Sequence, residues 1–150
     1  MRLILAVLLS IAAIAAVPFL LLALAFYFIE FTFEGGGVRQ WLFVRGSVAD
    51  KLGLAAPQGR VWYRVRGQDG NAPASTEVQY HSSLSPTDVV EAFAAACVRI
   101  GYTIESREPL VPPSSPEERY VKCDGKSEAW VTAAPISSGS RVSVIAFEPF

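Results

Sequence analysis

The sequence predicts an α+β protein: a single N-terminal transmembrane helix, then a two-layer domain with one helix, about 86–100, packed on an antiparallel sheet. Three observations carry this expectation. Residues 3–29 are apolar except for Ser10 and Pro18. Residues 86–100 hold one apolar stripe at helical spacing, between a capping start and a glycine stop. Elsewhere in 60–150, apolar and polar residues alternate at strand period between turn residues. The expected organisation is an anchor with flanks at 1–34, a juxtamembrane linker at 35–59, and an extracytoplasmic domain at 60–150.

Twenty-seven helical residues reach about 40 Å, more than a hydrocarbon core of about 30 Å, so tilt or a kink at Pro18 absorbs the excess. Phe26, Tyr27, Phe28, Phe31 and Phe33 give the aromatic enrichment of a membrane–water interface, and Glu30 and Glu34 close the span. A cleaved signal peptide is the competing reading, with Arg2 as a short positive region and Ala13-Ile14-Ala15 as a cleavage site before Ala16. Cleavage there leaves Val17 to Phe28 as an apolar stump, which favours a retained anchor. Arg2 on one flank and two glutamates on the other favour a cytoplasmic N-terminus and a domain outside it, in the periplasm if the cell has two membranes, while Arg39 and Arg45 further on weaken the asymmetry.

Gly35-Gly36-Gly37 reads as a flexible joint after the span. Beyond it, Val38, Trp41, Leu42, Val48, Ala49 and Leu52 recur at helical spacing, with Arg45 interrupting. Two readings stand for this stretch. In one it lies on the membrane, with Trp41 and Phe43 at the interface and Arg39 and Arg45 near headgroups. In the other, a strand at Trp41–Arg45 precedes a short helix capped by Ser47 and stopped at Gly53. Ala55 to Gly59 then forms a Pro/Gly linker.

Ser85 at the N-cap, Pro86 at the first helical position and Asp88 in the first turn start the main helix. Gly101 stops it, and Val89, Phe93, Ala96, Cys97 and Ile100 form its buried stripe. Strands are predicted at Val61–Arg66, Glu77–His81, Tyr102–Arg107, Tyr120–Cys123, Glu128–Ala134 and Arg141–Phe147, with hairpin turns at Asp124-Gly125 and Ser138-Gly139-Ser140. Val121 and Cys123 share a strand face. If that face meets the helix, Cys97 and Cys123 form a disulfide that staples helix to sheet, as suits a translocated domain. Residues 108–118 form an exposed Pro-rich loop.

The chemistry of the chain is sparse. Net charge is −1 with no basic run, so nucleic acid is not an expected partner. With two cysteines and one histidine, no zinc site has its ligands, and no cofactor motif is present. His81 lies on the polar side of its strand without a nucleophile elbow, so the chain is read as non-enzymatic. Trp62 falls on the sheet face away from the helix, beside Arg64 and Arg66, and Trp and Arg are enriched at interfaces. Trp130 either joins Trp62 or lies in the core, since its strand is apolar on both faces, which implies a sheet face covered by Lys51–Leu54 or by a partner. The interface candidates are therefore Trp62, Arg64, Arg66, Trp41, Pro112 and Pro113. The expected function is a non-catalytic accessory or assembly subunit of a larger membrane protein complex, with the lipid bilayer and other subunits as partners. The alternative is a secreted or periplasmic module for a small ligand or glycan, released by cleavage.

Overall fold

Strand-period patterning in this chain builds one sheet. The computed structural model describes residues 16–24, 30–68, 71–107 and 116–148. Its strands are β1 (Phe31–Glu34), β2 (Pro57–Arg66), β3 (Ser75–Ser82), β4 (Thr103–Ser106), β5 (Arg119–Asp124), β6 (Glu128–Ile136) and β7 (Gly139–Phe147). The helices are α1 (Val38–Phe43), α2 (Val48–Leu52) and α3 (Pro86–Arg99). The seven strands lie in the order β1-β2-β3-β7-β6-β5-β4, and every neighbouring pair is antiparallel. After β3 the chain crosses the sheet as α3 to reach the far edge at β4. It then returns by hairpins until β7 pairs with β3.

The α+β architecture with α3 on an antiparallel sheet is the expected one, and α3 ends within a residue of its predicted limit. Ser85 accepts a hydrogen bond from the Asp88 N–H at 3.2 Å, which satisfies one of the helix's unpaired donors. Val89, Phe93, Ala96 and Cys97 are buried against β4, β5, β6 and β7. Facing them are Val121 and Cys123 of β5, Ala129, Val131 and Ala133 of β6, and Val142, Val144 and Ala146 of β7, all buried. The small alanines of β6 and the bulky Phe93 of α3 are all buried where the helix meets the sheet. Cys97 and Cys123 form the disulfide, with Cα atoms 6.2 Å apart and both residues fully buried.

A polar corner closes the other half of the core. The Tyr80 hydroxyl accepts from the Ala55 N–H at 2.9 Å, and burial pushes that phenol up to about 12. Ser82 Oγ donates to the Ala55 carbonyl at 2.7 Å, and Ser140 Oγ donates to the Leu84 carbonyl at 2.7 Å. These bonds hold the segment before β2 and the start of α3 to the sheet without stranding a buried polar atom. Gly139 is required in the β6–β7 turn: a Cβ there would lie 2.1 Å from the Ser82 carbonyl oxygen, at a φ of +133°.

Several expectations for the stretch before β2 are corrected. Phe31 and Phe33, read as interfacial aromatics, belong to β1, which pairs with β2 through Phe31↔Val65 and Phe33↔Tyr63. Phe33 is buried and stacks on Tyr63 with centroids 5.6 Å apart, so packing claims it. The three glycines are an ordered turn rather than a loose joint after the span. The Gly35 N–H donates to the Val61 carbonyl at 2.6 Å, and the Gly36 N–H to Gln40 Oε1 at 2.7 Å. A Cβ on Gly35 would meet the Tyr63 ring at 2.8 Å, which explains glycine there.

The Trp41–Arg45 stretch is helical to Phe43 and not a strand. The short helix after it matches its expected limits, with Ser47 accepting from the Asp50 N–H and Gly53 ending it at a φ of +76°. Residues 35–59, expected as a juxtamembrane linker with a possible amphipathic segment, carry two helices, and Val48, Ala49 and Leu52 of α2 are buried against β3, β7 and α3. Consequently Lys51–Leu54 covers the α3 side of the sheet, and the outer face of Trp130 lacks the intrachain cover expected from that segment.

Most of the expected span at 3–29 lies outside the described residues. Residues 16–24 are helical and exposed. Among the described residues, no helix is long and apolar enough to cross a membrane.

Candidate interaction surface

The strand alternation that buries one set of side chains turns the other set to the opposite face of the sheet. Across the middle of that face run Thr32, Arg64, Glu77, Ile145, Trp130 and Lys122, each opposite the next in register. The adjoining row holds Glu34, Trp62, Gln79, Ser143, Thr132 and Tyr120. No helix of the described chain packs on this face.

Two clusters form on it. On β2, Trp62 is 42% exposed and stands in the row beside Arg64. Arg64 and Arg66 both bind the Glu30 carboxylate, Arg66 Nε at 3.2 Å, and Arg64 also lies 3.7 Å from Glu77. The Arg66 hydrogen bond, with the field of both guanidinium groups, holds the Glu30 carboxyl below its usual range against the opposing pull of desolvation. The arginines are therefore a neutralised, positioned pair rather than a bare positive patch.

On β6, Trp130 donates from Nε1 to Glu128 Oε2 at 3.1 Å and meets Phe147 edge-on with centroids 5.8 Å apart. Lys122 Nζ lies 5.6 Å from the Trp130 ring centre and bridges Glu105 at 2.7 Å and Glu128 at 3.3 Å. The Glu105 hydrogen bond, more than Glu128, raises the lysine above its ordinary value. The strand order places Trp62 three strands from Trp130, about 14 Å at the usual strand spacing. The two tryptophans thus share a face without touching. Along the Trp62 row, the sheet face carries a shallow depression of about 300 Å³ lined by Gln79, Glu118, Thr132, Ala134, Arg141 and Ser143.

The remaining sequence candidates lie elsewhere. Trp41 is 58% exposed on α1, which meets β1 and β2 through Phe31 and Tyr63, with the Arg45 guanidinium 5.9 Å above its ring. It does not join Trp62. Pro112 and Pro113 lie outside the described residues. His81 is exposed on the open face, in register with Gln58 and Arg141. Among the described residues, no group of three or more His, Cys, Asp or Glu side chains is placed to hold a metal.

Sequence reasoning missed Glu30, Lys122, Glu128 and Phe147. Glu30 was absorbed into the end of the span. The strand register makes the other three legible: Lys122 is opposite Trp130, and Phe147 and Glu128 lie one row away on the same face. Comparison with protein-family models, curated proteins and solved structures finds no match to this chain.

Proposed function

We propose that this chain is a non-catalytic accessory or assembly subunit of a larger membrane protein complex. The apolar run of residues 3–29 anchors it, and the domain beyond, outside the cytoplasm, presents its open sheet face to another subunit. The observation that carries this reading is a sheet face uncovered among the described residues, bearing half-exposed Trp62 beside the paired Arg64 and Arg66, with the Trp130–Phe147 cluster across the sheet. Partly exposed tryptophan and pre-positioned arginine are the residue types that dominate binding at interfaces, because they bury much area while losing little freedom. Arg2 at the N-terminal flank supports this side of the membrane, as does a Cys97–Cys123 disulfide of the kind oxidising compartments sustain.

The test is gentle detergent extraction from native membranes followed by mass spectrometry. The expected result is a chain that begins at Met1 and carries other membrane subunits in fixed ratio. Trp62→Ala should then lower their recovery while leaving the fold intact. Unchanged recovery removes the Trp62 face from the interface. A chain beginning near Ala16 with no companions replaces the reading with a secreted module for a small ligand or glycan.

A further inference from the structure

Helix α1 wears its apolar stripe on the outside. Val38, Trp41 and Leu42 follow i, i+3 and i+4, one face of a helix, and Arg45 lies in the turn just past its end. The three apolar members are 71%, 58% and 57% exposed. The opposite face faces the domain: Gln40 donates from Nε2 to the Tyr63 hydroxyl at 3.1 Å, and the Phe43 ring lies 4.8 Å from that of Phe31. Six residues make too short a helix to persist alone in water. These contacts hold it, and they hold it with the stripe pointing away from the core.

The position of α1 is set by the chain before it. The apolar run ends at Ile29, and two residues span at most about 7 Å to Phe31. Glu30 leaves no slack, because its carboxylate is bound by both Arg64 and Arg66. The Phe31–Phe43 contact then brings the C-terminal end of α1 beside Phe31, two residues past the end of the apolar run in sequence. Trp is the residue that sits at headgroup depth, and arginine can lay its stem on apolar surface while its head reaches phosphate. Among the described residues, Arg39 and Arg45 form no salt bridge, and both are exposed.

We infer that α1 docks on the lipid headgroup layer of the membrane that anchors the chain, with Val38, Trp41 and Leu42 inserted and Arg39 and Arg45 on lipid phosphates. The β1–α1 edge of the domain leans on the bilayer, and the domain is fixed in tilt rather than swinging on a tether. This rests on the anchored reading above, so the test separates the two.

The full-length chain, carrying Trp62→Phe and Trp130→Phe so that Trp41 alone reports, is reconstituted in phosphatidylcholine vesicles with lipids brominated at defined acyl depths. Resistance to alkaline extraction reports the anchor, and quenching reports α1. Trp41 emission should fall roughly twofold with shallow bromines and little with deep ones, since an interfacial helix lies about 5–10 Å into the headgroup boundary. Adding anionic lipid should strengthen the quenching, and Arg39→Gln with Arg45→Gln should abolish that increment. If the single-tryptophan chain does not fold, the quenching lost between wild type and Trp41→Phe gives the same reading. An alkali-resistant chain whose Trp41 is unquenched overturns the docking and leaves the anchor standing. Protection of residues 38–43 that needs companion subunits assigns the stripe to a protein and also overturns it. A chain extracted by alkali overturns both.

Discussion

Helices α3 and α1 carry the same kind of apolar spacing and turn it in opposite directions. In α3 the stripe of Val89, Phe93, Ala96 and Cys97 is buried on the sheet, while exposed Val98 lies on the outer side. In α1 the stripe is the exposed side, and the half-polar face with Gln40 meets the domain. The reason lies in what each helix has to pack on. Fourteen residues of α3 cross several strands whose inner side chains are small. Six residues of α1 sit at an edge where Phe33, Tyr63 and Val44 already close the core. Apolar periodicity thus states that a face is to be kept from water, and the surroundings decide what keeps it dry.

The largest test of this contrast is a pair of truncations. Phe93→Ala should cost about 3–5 kcal/mol, because the space it vacates cannot collapse. Trp41→Ala should change stability by no more than about 0.5 kcal/mol, as expected for a surface position. Urea unfolding of the full chain in detergent measures both, and a comparable loss in the two variants would abolish the distinction. Next in size is the staple that ties α3 to β5. Reducing Cys97–Cys123 should lower stability by about 3–4 kcal/mol on the loop-closure account. It should leave Trp41 fluorescence in the folded chain unchanged, whereas a coupled change would mean that α1 and α3 are not independent. A smaller loss, about 1 kcal/mol, is expected for Ser85→Ala, which removes the α3 cap. Midpoint shifts in the same unfolding experiment report it.

The smallest effect lies where the α1–α2 segment meets the end of β7. Burial raises the Glu148 carboxyl above its usual value, opposed by the Val48 N–H that donates to it at 3.3 Å and by Lys51. With the folded value above the unfolded one, the associated stability is complete below the unfolded value and is lost as pH rises through the folded one. Glu148→Gln should therefore gain up to about 0.5 kcal/mol at neutral pH and nothing below the carboxylate range. A thermal-melt series across pH reads the sign, and a gain that persists in acid would mean the effect is not ionisation.

How far the sequence was legible follows from which signals were local. The α3 limits, the hairpin turns and the partner of Cys97 were readable because caps, turn residues and strand parity act within a few residues. β1 was not. Phe31-Thr32-Phe33-Glu34 alternates as a strand should, but it adjoins an apolar run, and the same aromatics suit a membrane interface equally well. Trp62 was placed on the correct face by parity alone. Its separation from Trp130 was not legible, since that depends on β3 and β7 pairing between them, and their partners are distant in sequence.

By itself, the sequence determined the elements with strong local signals, the two-layer α+β character, and the side of each strand that faces the helix. Tertiary structure alone decided that β1 closes the sheet, that α2 covers the same side as α3, and that the stripe of α1 points outward. The physical reason is that pattern selects a face but not a neighbour. Neighbours are set by long-range pairing and by the volume left to fill, and those are properties of the assembled core.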